Sequence, residues 1–352
     1  MQTLALDTYP ILIGPVSEAL PQVLRQQRFS QLFVLVDENT KAYCWPLIAD
    51  LLAGQHPRLI EIPAGEAHKN LQTCERIWRQ LMENRAGRDA LLLNLGGGVI
   101  GDMGGFAAST FKRGMPFVQI PTTLLAQVDA SIGGKLGIDF GQVKNSIGLF
   151  RNPQAVLVDP AFLNTLPGRE LRSGYAEVIK HSLIADREQW ESLQQLEDLR
   201  TADWGRIIPA SLQIKQRIVE ADPFERGLRK ALNFGHTIGH AVEGQALATS
   251  TPLLHGEAIA IGIVGEAYLS HVQLGLPKEE LQQITQYLIR TYGRPPLDPS
   301  HFPAYFQLMG NDKKNEGRAI NFSLLPQTGT VEVNQTADPG QITAALEFYN
   351  RL

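Results

Sequence analysis

The amino-acid sequence predicts an α/β domain that binds a nucleotide, followed by a mainly helical domain. The chain has 352 residues, which suits about two domains at roughly 100 to 200 residues each. Short apolar runs alternate with helical, glycine-punctuated stretches in the first half, whereas helical periodicity dominates the second half. The pattern changes close to Leu166, so we predict domains at 1–165 and 166–352.

Five apolar runs in the first half predict β-strands. Continuous apolar runs separated by helical patterns are typical of strands that are buried on both faces of a parallel sheet. Loops at the carboxyl ends of such strands commonly bind ligands, so this half is predicted to bind a nucleotide. The runs are 32–36, 59–62, 90–95, 117–120 and 155–158.

Helical periodicity recurs through most of the second half. Two later runs, 319–325 and 330–333, predict strands that form a hairpin. The second domain is therefore expected to be mostly helical. The predicted helices are 170–184, 203–220, 229–247, 256–274 and 278–292.

Composition argues against several classes of partner and location. With 43% hydrophobic residues, 19% charged residues and a net charge of -4, the chain has no basic footprint for nucleic acid or an anionic membrane. Cys44 and Cys74 cannot build a disulfide framework, which fits a reducing compartment. The most apolar segment, 258–276, is interrupted by Glu266 and His271 and falls short of a membrane span. A cytoplasmic protein is expected.

A glycine loop follows the predicted strand 90–95. Residues 96–101 read Gly-Gly-Gly-Val-Ile-Gly, which satisfies Gly-x-Gly-x-x-Gly, and a run with helical character follows at 103–111. Such glycines let a pyrophosphate approach the backbone at a helix N-terminus. A tight structural turn would give the same pattern, and 116–124 contains no carboxylate to bind a ribose. Asp37, at the end of an earlier strand, is the better ribose candidate.

Two lysines lie nine residues apart in the segment that follows. Lys135 and Lys144, separated by several glycines, could gather phosphate or carboxylate oxygens. A solvated loop is the alternative. Asn145 lies beside Lys144, between Gly141 and Gly148, and this context favours a ligand-binding loop.

Three of the eight histidines fall within twenty residues. His236 and His240 are four apart, so they lie on one face of a helix and could bind one metal, with His255 and an upstream carboxylate completing the set. Such a pair more often serves packing or hydrogen bonding. Thr237 stands where the His-Glu-x-x-His motif has glutamate, which disfavours a metalloprotease of that type.

Together, these motifs resemble the 3-dehydroquinate synthase family across about residues 10–350. The resemblance implies a Rossmann-like N-terminal α/β domain, a mainly α-helical C-terminal metal-binding domain and a homodimer. The sequence departs from some members at Ala64, where they carry aspartate, and this affects one peripheral cofactor contact. The motifs, in order, are GGGVIGD, FKRG, PTTLLAQVDASIGGK, KNSIG, GYAEVIKH, LNFGHTIGHAVE, HGEAIAIG and DKK.

The resemblance implies a metal site for zinc or cobalt and a site for NAD. The metal ligands would be Glu177, His236 and His255, so His240 would not be a ligand. The implied NAD residues are Asp37, Glu66, Lys69, Gly98, Val99, Ile100, Gly101, Asp102, Thr122, Thr123, Lys135, Lys144, Phe162, Leu163, Asn164 and Thr165.

The resemblance also implies a pocket for a small sugar phosphate. Arg229 would grip a carboxylate, and His240 would transfer a proton at a substrate hydroxyl. Arg113 would reach the pocket from a neighbouring subunit. The full set is Asp129, Lys135, Asn145, Lys180, Lys215, Arg229, Asn233, His240, Lys313 and Arg113.

The implied reaction converts 3-deoxy-D-arabino-heptulosonate 7-phosphate to 3-dehydroquinate and phosphate, in the shikimate pathway to aromatic amino acids. It combines transient oxidation by NAD, phosphate elimination, reduction and intramolecular aldol closure. Two other enzyme classes share parts of this pattern: another sugar-phosphate cyclase, and a metal-dependent polyol or glycerol-phosphate dehydrogenase. A non-enzymatic relative would need a damaged site, and the matched positions are intact.

Overall fold

The structure, a computed structural model, describes residues 1–6, 8–141, 143–247, 249, 252–310 and 320–352. It divides into two compact units. Unit 1 comprises Met1–Pro167 and Asp203–Pro209, and unit 2 comprises Gly168–Ala202 and Ala210–Leu352. The first break therefore falls after Pro167, and the sequence pattern gave no sign that 203–209 belongs with unit 1.

Unit 1 is an α/β unit, as predicted. Its described helices are α1 (Val16–Gln26), α2 (Glu38–Tyr43), α3 (Ala49–Leu52), α4 (Leu71–Glu83) and α5 (Gly98–Thr110). Its described strands are β1 (Gln2–Leu6), β2 (Tyr9–Ile13), β3 (Leu32–Asp37), β4 (Arg58–Ile62), β5 (Leu91–Gly96), β6 (Phe117–Pro121), β7 (Lys135–Phe140), β8 (Val143–Phe150) and β9 (Val156–Val158).

Seven of the strands described in unit 1 form one sheet, in the order β1-β2-β9-β6-β5-β3-β4. The neighbouring strands are parallel, apart from the antiparallel pair β1 and β2. All five predicted strands are present, as β3, β4, β5, β6 and β9. The hairpin of β7 and β8 was not predicted, because its glycines and polar residues resemble a loop.

Burial on both faces explains why β3 reads as a continuous apolar run. Phe33 and Leu35 join the hydrophobic cluster on one face, whereas Val34 and Val36 join the cluster on the other. All four side chains are fully buried. Alternate residues of a strand point to opposite faces, so a strand covered on both sides needs apolar side chains throughout.

The strand order places a switch point between β3 and β5. The chain passes from β3 to β4 on one side, and then returns to build β5 on the other side of β3. In the register, Leu35 lies opposite Asn94 and Gly96 lies opposite Pro121. The carboxyl ends of β3, β5 and β6 therefore meet at one edge, which is where open parallel sheets bind ligands.

Unit 2 is mainly helical, also as predicted. The helix α8 begins in the segment assigned to unit 1, and the two strands form an antiparallel hairpin. The described elements are α6 (Gly168–Ala185), α7 (Arg187–Leu193), α8 (Trp204–Ala221), α9 (His236–Ala246), α10 (His255–Leu274), α11 (Lys278–Tyr292), α12 (Phe302–Gly310), β10 (Ile320–Leu324), β11 (Glu332–Ala337) and α13 (Pro339–Arg351).

Helix α10 forms the centre of unit 2 and packs against α6, α9, α11 and α13. At its first turn, a Cβ on Gly256 would overlap the carbonyl group of Ser173, so only glycine allows this approach to α6. Gly256 N also donates a hydrogen bond to Ser173 Oγ. This close packing sets His255, the first residue of α10, beside α6. Among the described residues, no helix is both long and apolar enough to cross a membrane.

The prediction of a single helix over residues 229–247 is wrong. Leu228–Asn233 forms a 3-10 helix, and α9 begins only at His236. Gly235 separates them with a left-handed backbone, φ 80°, a conformation that glycine adopts at little cost. Arg229 and Asn233 consequently lie on a different element from His236 and His240.

Candidate metal centre and nucleotide site

Three helices of unit 2 bring the predicted metal ligands together. Glu177 comes from α6, His236 begins α9 and His255 begins α10. Glu177 Oε1 lies 3.3 Å from His236 Nε2 and 3.4 Å from His255 Nε2. In a tetrahedral zinc site with bonds of about 2.0–2.1 Å, ligand atoms lie about 3.3–3.4 Å apart. The donor types and their spacing therefore fit a divalent transition-metal ion.

The surrounding charges favour an anionic carboxylate at this centre. Burial would raise the pKa of the Glu177 carboxyl, but the Lys180 ammonium and the contact with His236 outweigh it and hold the pKa well below its usual range. Burial and the charge of Lys180 lower the pKa of His236. Burial also lowers the pKa of His255, yet hydrogen bonds to Glu177 and Glu243 raise it to about 10. A metal ion bound here would replace the proton between His255 and Glu177.

Two further predicted residues lie at the same centre. The Lys180 ammonium forms a buried ion pair with Glu177 Oε2, one helical turn away on α6. His240 is exposed, and its ring centroid lies 5.0 Å from that of His236 and 5.8 Å from that of His255. The spacing of four residues thus places His236 and His240 at one site, while His240 keeps access to solvent.

Two glutamates that were not predicted from the sequence also support this centre. Glu243 Oε2 lies 3.3 Å from His255 Nδ1, and Glu266 accepts hydrogen bonds from the backbone at the start of α9. Glu243 follows His236 by seven residues, so helical spacing could have identified it. Glu266 gave no such signal, since it lies far along α10 and its hydrogen bonds to the start of α9 are to backbone N–H groups.

The other predicted substrate residues of unit 2 are held by nearby loops. Arg229 is buried, and its Nη1 donates to Pro223 O at 2.6 Å. Asn233 Nδ2 donates to Glu225 Oε1 at 2.9 Å. Lys215 is buried in α8, and Lys313 lies outside the described residues.

The glycine loop of unit 1 lies at the switch point of the sheet. Helix α5 begins at Gly98, and its N-cap residue, Gly97, has no side chain to cap the first turn. A Cβ on Gly97 would lie 3.0 Å from Thr123 Cγ2. It would narrow the space in front of the backbone N–H groups in the first turn of α5. A bare helix N-terminus after a parallel strand fits the pyrophosphate of a dinucleotide.

Asp37 and Thr122 lie at the same edge of the sheet. Asp37 ends β3, and its Oδ1 accepts a hydrogen bond from Thr40 N, which caps α2. Thr122 N donates to Gly96 O at 3.0 Å, which joins the end of β6 to the glycine loop. The edge thus brings Asp37, the loop at 96–102 and Thr122 together, as the strand pattern predicts.

Lys69 links two parts of the predicted site in unit 1. Its Nζ donates to Asp102 Oδ2 at 2.7 Å and to Asn145 Oδ1 at 2.6 Å. Burial would lower the pKa of Lys69, but Asp102 and Glu66 outweigh it and raise the pKa. Lys69 therefore stays charged and joins the glycine loop to the β7–β8 hairpin.

The remaining predicted residues of unit 1 differ in exposure. Asp129 lies in a π-helix, Ala126–Ala130, a form that is frequent at functional sites. Lys135 is exposed at the start of β7, and Lys144 pairs with Glu66 at 3.7 Å. In the 3-10 helix Pro160–Thr165, Phe162 and Leu163 are buried, whereas Asn164 and Thr165 are exposed. Arg113 is exposed, with φ 69°.

Family comparisons match both parts of the chain. A family model described as 3-dehydroquinate synthase N-terminal matches residues 59–173, and one described as 3-dehydroquinate synthase C-terminal matches residues 174–315. The chain is 44% identical to the 3-dehydroquinate synthase of Parabacteroides distasonis, over 96% of this chain and 97% of the relative. It is also 44% identical to that of Bordetella pertussis, over 98% and 97%.

Solved structures of more distant proteins share the fold. A 2-epi-5-epi-valiolone synthase from Streptomyces hygroscopicus, solved with NAD+ and Zn2+, is 28% identical over 100% of this chain and 99% of its own, with a TM-score of 0.83. A 2-deoxy-scyllo-inosose synthase, solved with carbaglucose-6-phosphate, NAD+ and Co2+, is 22% identical over 98% and 99%, with a TM-score of 0.87. A probable glycerol dehydrogenase from Sinorhizobium meliloti reaches a TM-score of only 0.59 at 17% identity, over 97% and 96%.

The two dehydroquinate synthases are therefore more similar to this chain in sequence than the two cyclases and the probable glycerol dehydrogenase described above. The family models together span residues 59–315, and the two relatives match almost the whole chain. On this basis, the chain belongs to the 3-dehydroquinate synthase family.

Proposed function

We propose that the chain is an NAD- and metal-dependent lyase that converts 3-deoxy-D-arabino-heptulosonate 7-phosphate to 3-dehydroquinate and phosphate. Family membership supports this activity. The observation that carries the proposal is the cluster of Glu177, His236 and His255, whose donor atoms all lie within 4.8 Å of one another. The reaction belongs to the shikimate pathway of aromatic amino acid biosynthesis.

Glu177, His236 and His255 would hold Zn²⁺ or Co²⁺. A divalent ion with open coordination positions acidifies a bound substrate hydroxyl. Lys180 holds the carboxylate of Glu177 in its ionised form through their buried ion pair. We assign Lys180 a second role, donating a hydrogen bond to a substrate hydroxyl near this centre.

His240 would transfer a proton at a substrate hydroxyl. Its exposed imidazole lies beside the metal ligands, and imidazole is the side-chain group that most often acts as a general acid or base. The position of its ring, next to the cluster but accessible to solvent, supports proton exchange with water between turnovers.

NAD would bind at the carboxyl edge of the sheet in unit 1. Asp37 would bind a ribose and the start of α5 would bind the pyrophosphate, with the other predicted NAD residues completing the site. NAD accepts a hydride from the substrate and later returns it, so it is not consumed.

Cationic and amide side chains would bind the two anionic groups of the substrate. The set comprises Lys135, Asn145, Lys215, Arg229, Asn233, Lys313 and Arg113, and the carboxylate of Asp129 lines the same predicted pocket. Arg229 suits the carboxylate because a guanidinium can donate two parallel hydrogen bonds to it. The lysines suit phosphate oxygens as point charges.

The defining experiment measures phosphate release and 3-dehydroquinate formation by the purified chain. We expect both products in equal amounts with NAD at far below one equivalent of substrate. Chelation should abolish turnover, and added zinc or cobalt should restore it. Phosphate release without dehydroquinate would indicate another cyclase, and steady accumulation of NADH would indicate a dehydrogenase.

We also propose that the chain forms a homodimer. The β7–β8 hairpin exposes the large apolar side chains of Phe140, Ile147 and Phe150, with Phe140 61% exposed. Large exposed apolar side chains on one element can mark a contact surface between proteins. Sedimentation equilibrium should give about twice the chain mass of 38.8 kDa, and a single-chain mass over the working concentration range would contradict the proposal.

A further inference from the structure

The two ring nitrogens of His255 lie beside two different carboxylates. Nε2 lies 3.4 Å from Glu177 Oε1, and Nδ1 lies 3.3 Å from Glu243 Oε2. Glu243 is only 4% exposed, so its carboxylate is largely removed from water. The imidazole thus lies between the proposed metal centre on one edge and a buried carboxylate on the other.

The chemistry of imidazole gives these two contacts different roles. A neutral ring carries one N–H, so a ring that offers the Nε2 lone pair to a metal must carry its proton on Nδ1. A carboxylate that accepts a hydrogen bond from this Nδ1–H fixes the tautomer and the orientation of the ring. Glu243 lies where such an acceptor is required.

We propose that Glu243 is a positioning residue that holds His255 with Nε2 directed to the metal. This inference rests on the proposed role of His255 as a ligand. Glu243 acts through His255 and does not itself bind the ion, because the two ring nitrogens point away from each other. An oxygen beside Nδ1 is therefore on the wrong side of the ring to share an ion bound to Nε2.

The other histidine ligand has a comparable partner, but from the backbone. His236 Nδ1 lies 3.1 Å from Phe234 O, and that acceptor is fixed by the turn before α9. His255 instead depends on a side chain from a neighbouring helix, since Glu243 lies in α9 and His255 begins α10. Glu243 therefore couples the orientation of one ligand to the helix that carries another.

The position of His255 explains why its ring needs this support. It is the first residue of α10, and its side chain is 25% exposed. The backbone there is well held, because Leu254 N donates to Glu257 Oε2 and Gly256 N donates to Ser173 Oγ. These bonds fix the main chain, whereas rotation of the imidazole is set by the ring's own contacts, among them those with Glu177 and Glu243.

The test compares zinc and cobalt affinities of the full chain with those of Glu243→Ala and Glu243→Gln, measured by chelator competition. Loss of such outer contacts typically weakens metal binding by about 10- to 100-fold, and we expect this for Glu243→Ala. Glu243→Gln should lose less, because its amide oxygen can accept the same hydrogen bond. The absorption spectrum of bound cobalt should shift in the alanine variant and recover in the glutamine variant.

Control measurements separate positioning from general damage to the fold. Glu347→Gln, an exposed carboxylate on α13, should leave metal affinity unchanged. All variants should keep the NAD affinity of the wild type, because the proposed NAD residues lie in unit 1. If Glu243→Ala does not fold, Glu243→Leu carries the test, because it keeps most of the side-chain bulk but offers no acceptor to His255 Nδ1, and the same loss of affinity and shift of the cobalt spectrum are expected.

Two results would overturn the inference. Unchanged metal affinity and an unchanged cobalt spectrum in a folded Glu243→Ala would show that His255 needs no such support. A second equivalent of metal, bound by the wild type and lost in both variants, would show instead that Glu243 is a ligand. A wild-type chain that binds neither zinc nor cobalt would refute the proposed metal centre itself, which is a separate failure.

Discussion

The ion pair of Glu177 and Lys180 places two charges inside unit 2, with side-chain exposures of 0% and 1%. Removing charges from water is costly, so a buried pair adds little stability by itself, whereas removing one partner typically costs about 3–5 kcal/mol. The pair is therefore better explained by the need for an ionised carboxylate at a metal centre than by folding.

Glu177→Gln tests this explanation. The substitution removes a ligand and leaves the Lys180 ammonium buried without its anion, so both metal binding and stability should fall, the latter by about 3–5 kcal/mol. Adding Lys180→Met should recover part of the stability but none of the metal binding. Thermal melting and metal analysis of the single and double variants measure the two effects. Metal retained by the folded single variant would remove Glu177 from the ligand set.

His240→Asn tests proton transfer separately from metal binding. Turnover should fall by about 10²- to 10⁴-fold, the usual contribution of a general acid or base, while zinc content stays at the wild-type level. Steady-state kinetics and metal analysis on the same preparation provide both values. Zinc lost together with activity would make His240 a ligand.

Sequence spacing predicted part of this site for a clear physical reason. Residues four apart share a helical face, so His236 and His240 could be placed together from the sequence alone. Glu177 lies 59 residues before His236 on another helix, and no local period links them. Only the family resemblance identified that carboxylate.

Glu266 connects α10 to the start of α9. Its Oε2 accepts from Gly235 N at 2.7 Å, and its Oε1 accepts from Thr237 N at 2.9 Å and Ile238 N at 3.1 Å. Backbone N–H groups at the start of a helix have no acceptor within the helix, so a carboxylate there satisfies them. Its negative charge also interacts favourably with the helix dipole. The buried side chain thus fixes the turn that presents His236.

Glu266→Ala should loosen this turn. We expect a loss of at least about 2 kcal/mol in stability, because three backbone donors lose a charged acceptor. Hydrogen exchange followed by mass spectrometry should show faster exchange at Gly235, Thr237 and Ile238, whereas Glu347→Gln should show wild-type rates. Unchanged protection of these amides in Glu266→Ala would mean that the turn does not depend on Glu266.

The elements that could be predicted are those whose burial leaves a simple pattern. Two-sided burial made β3 and β5 recognisable as apolar runs, and one-sided burial made α11 recognisable by its helical period. The β7–β8 hairpin was missed because Gly137 and Gly148 interrupt it. The break at Gly235 was missed because tertiary contacts override the helical period around it.

The proposed reaction requires residues from both units. The residues expected to bind NAD lie in unit 1, and the metal ligand candidates lie in unit 2. The proposed homodimer adds a third requirement, since Arg113 is expected to serve the site of the neighbouring subunit. Its exposed side chain, in unit 1, is accessible for such a contact.

Mixed dimers test whether Arg113 acts across subunits. Arg113→Ala and His240→Asn chains should each be nearly inactive alone. When the two chains are co-expressed in equal amounts, half of the dimers contain one chain of each kind. One site in each mixed dimer then has both an intact His240 and an intact Arg113 from the partner. Activity should therefore recover to about one quarter of the wild-type value.

Two affinity tags, one on each kind of chain, allow the mixed dimer to be purified and assayed. About half of the wild-type activity is then expected. If Arg113 acts within its own subunit, every mixed dimer has two damaged sites, and purified mixed dimers without recovered activity would establish that arrangement.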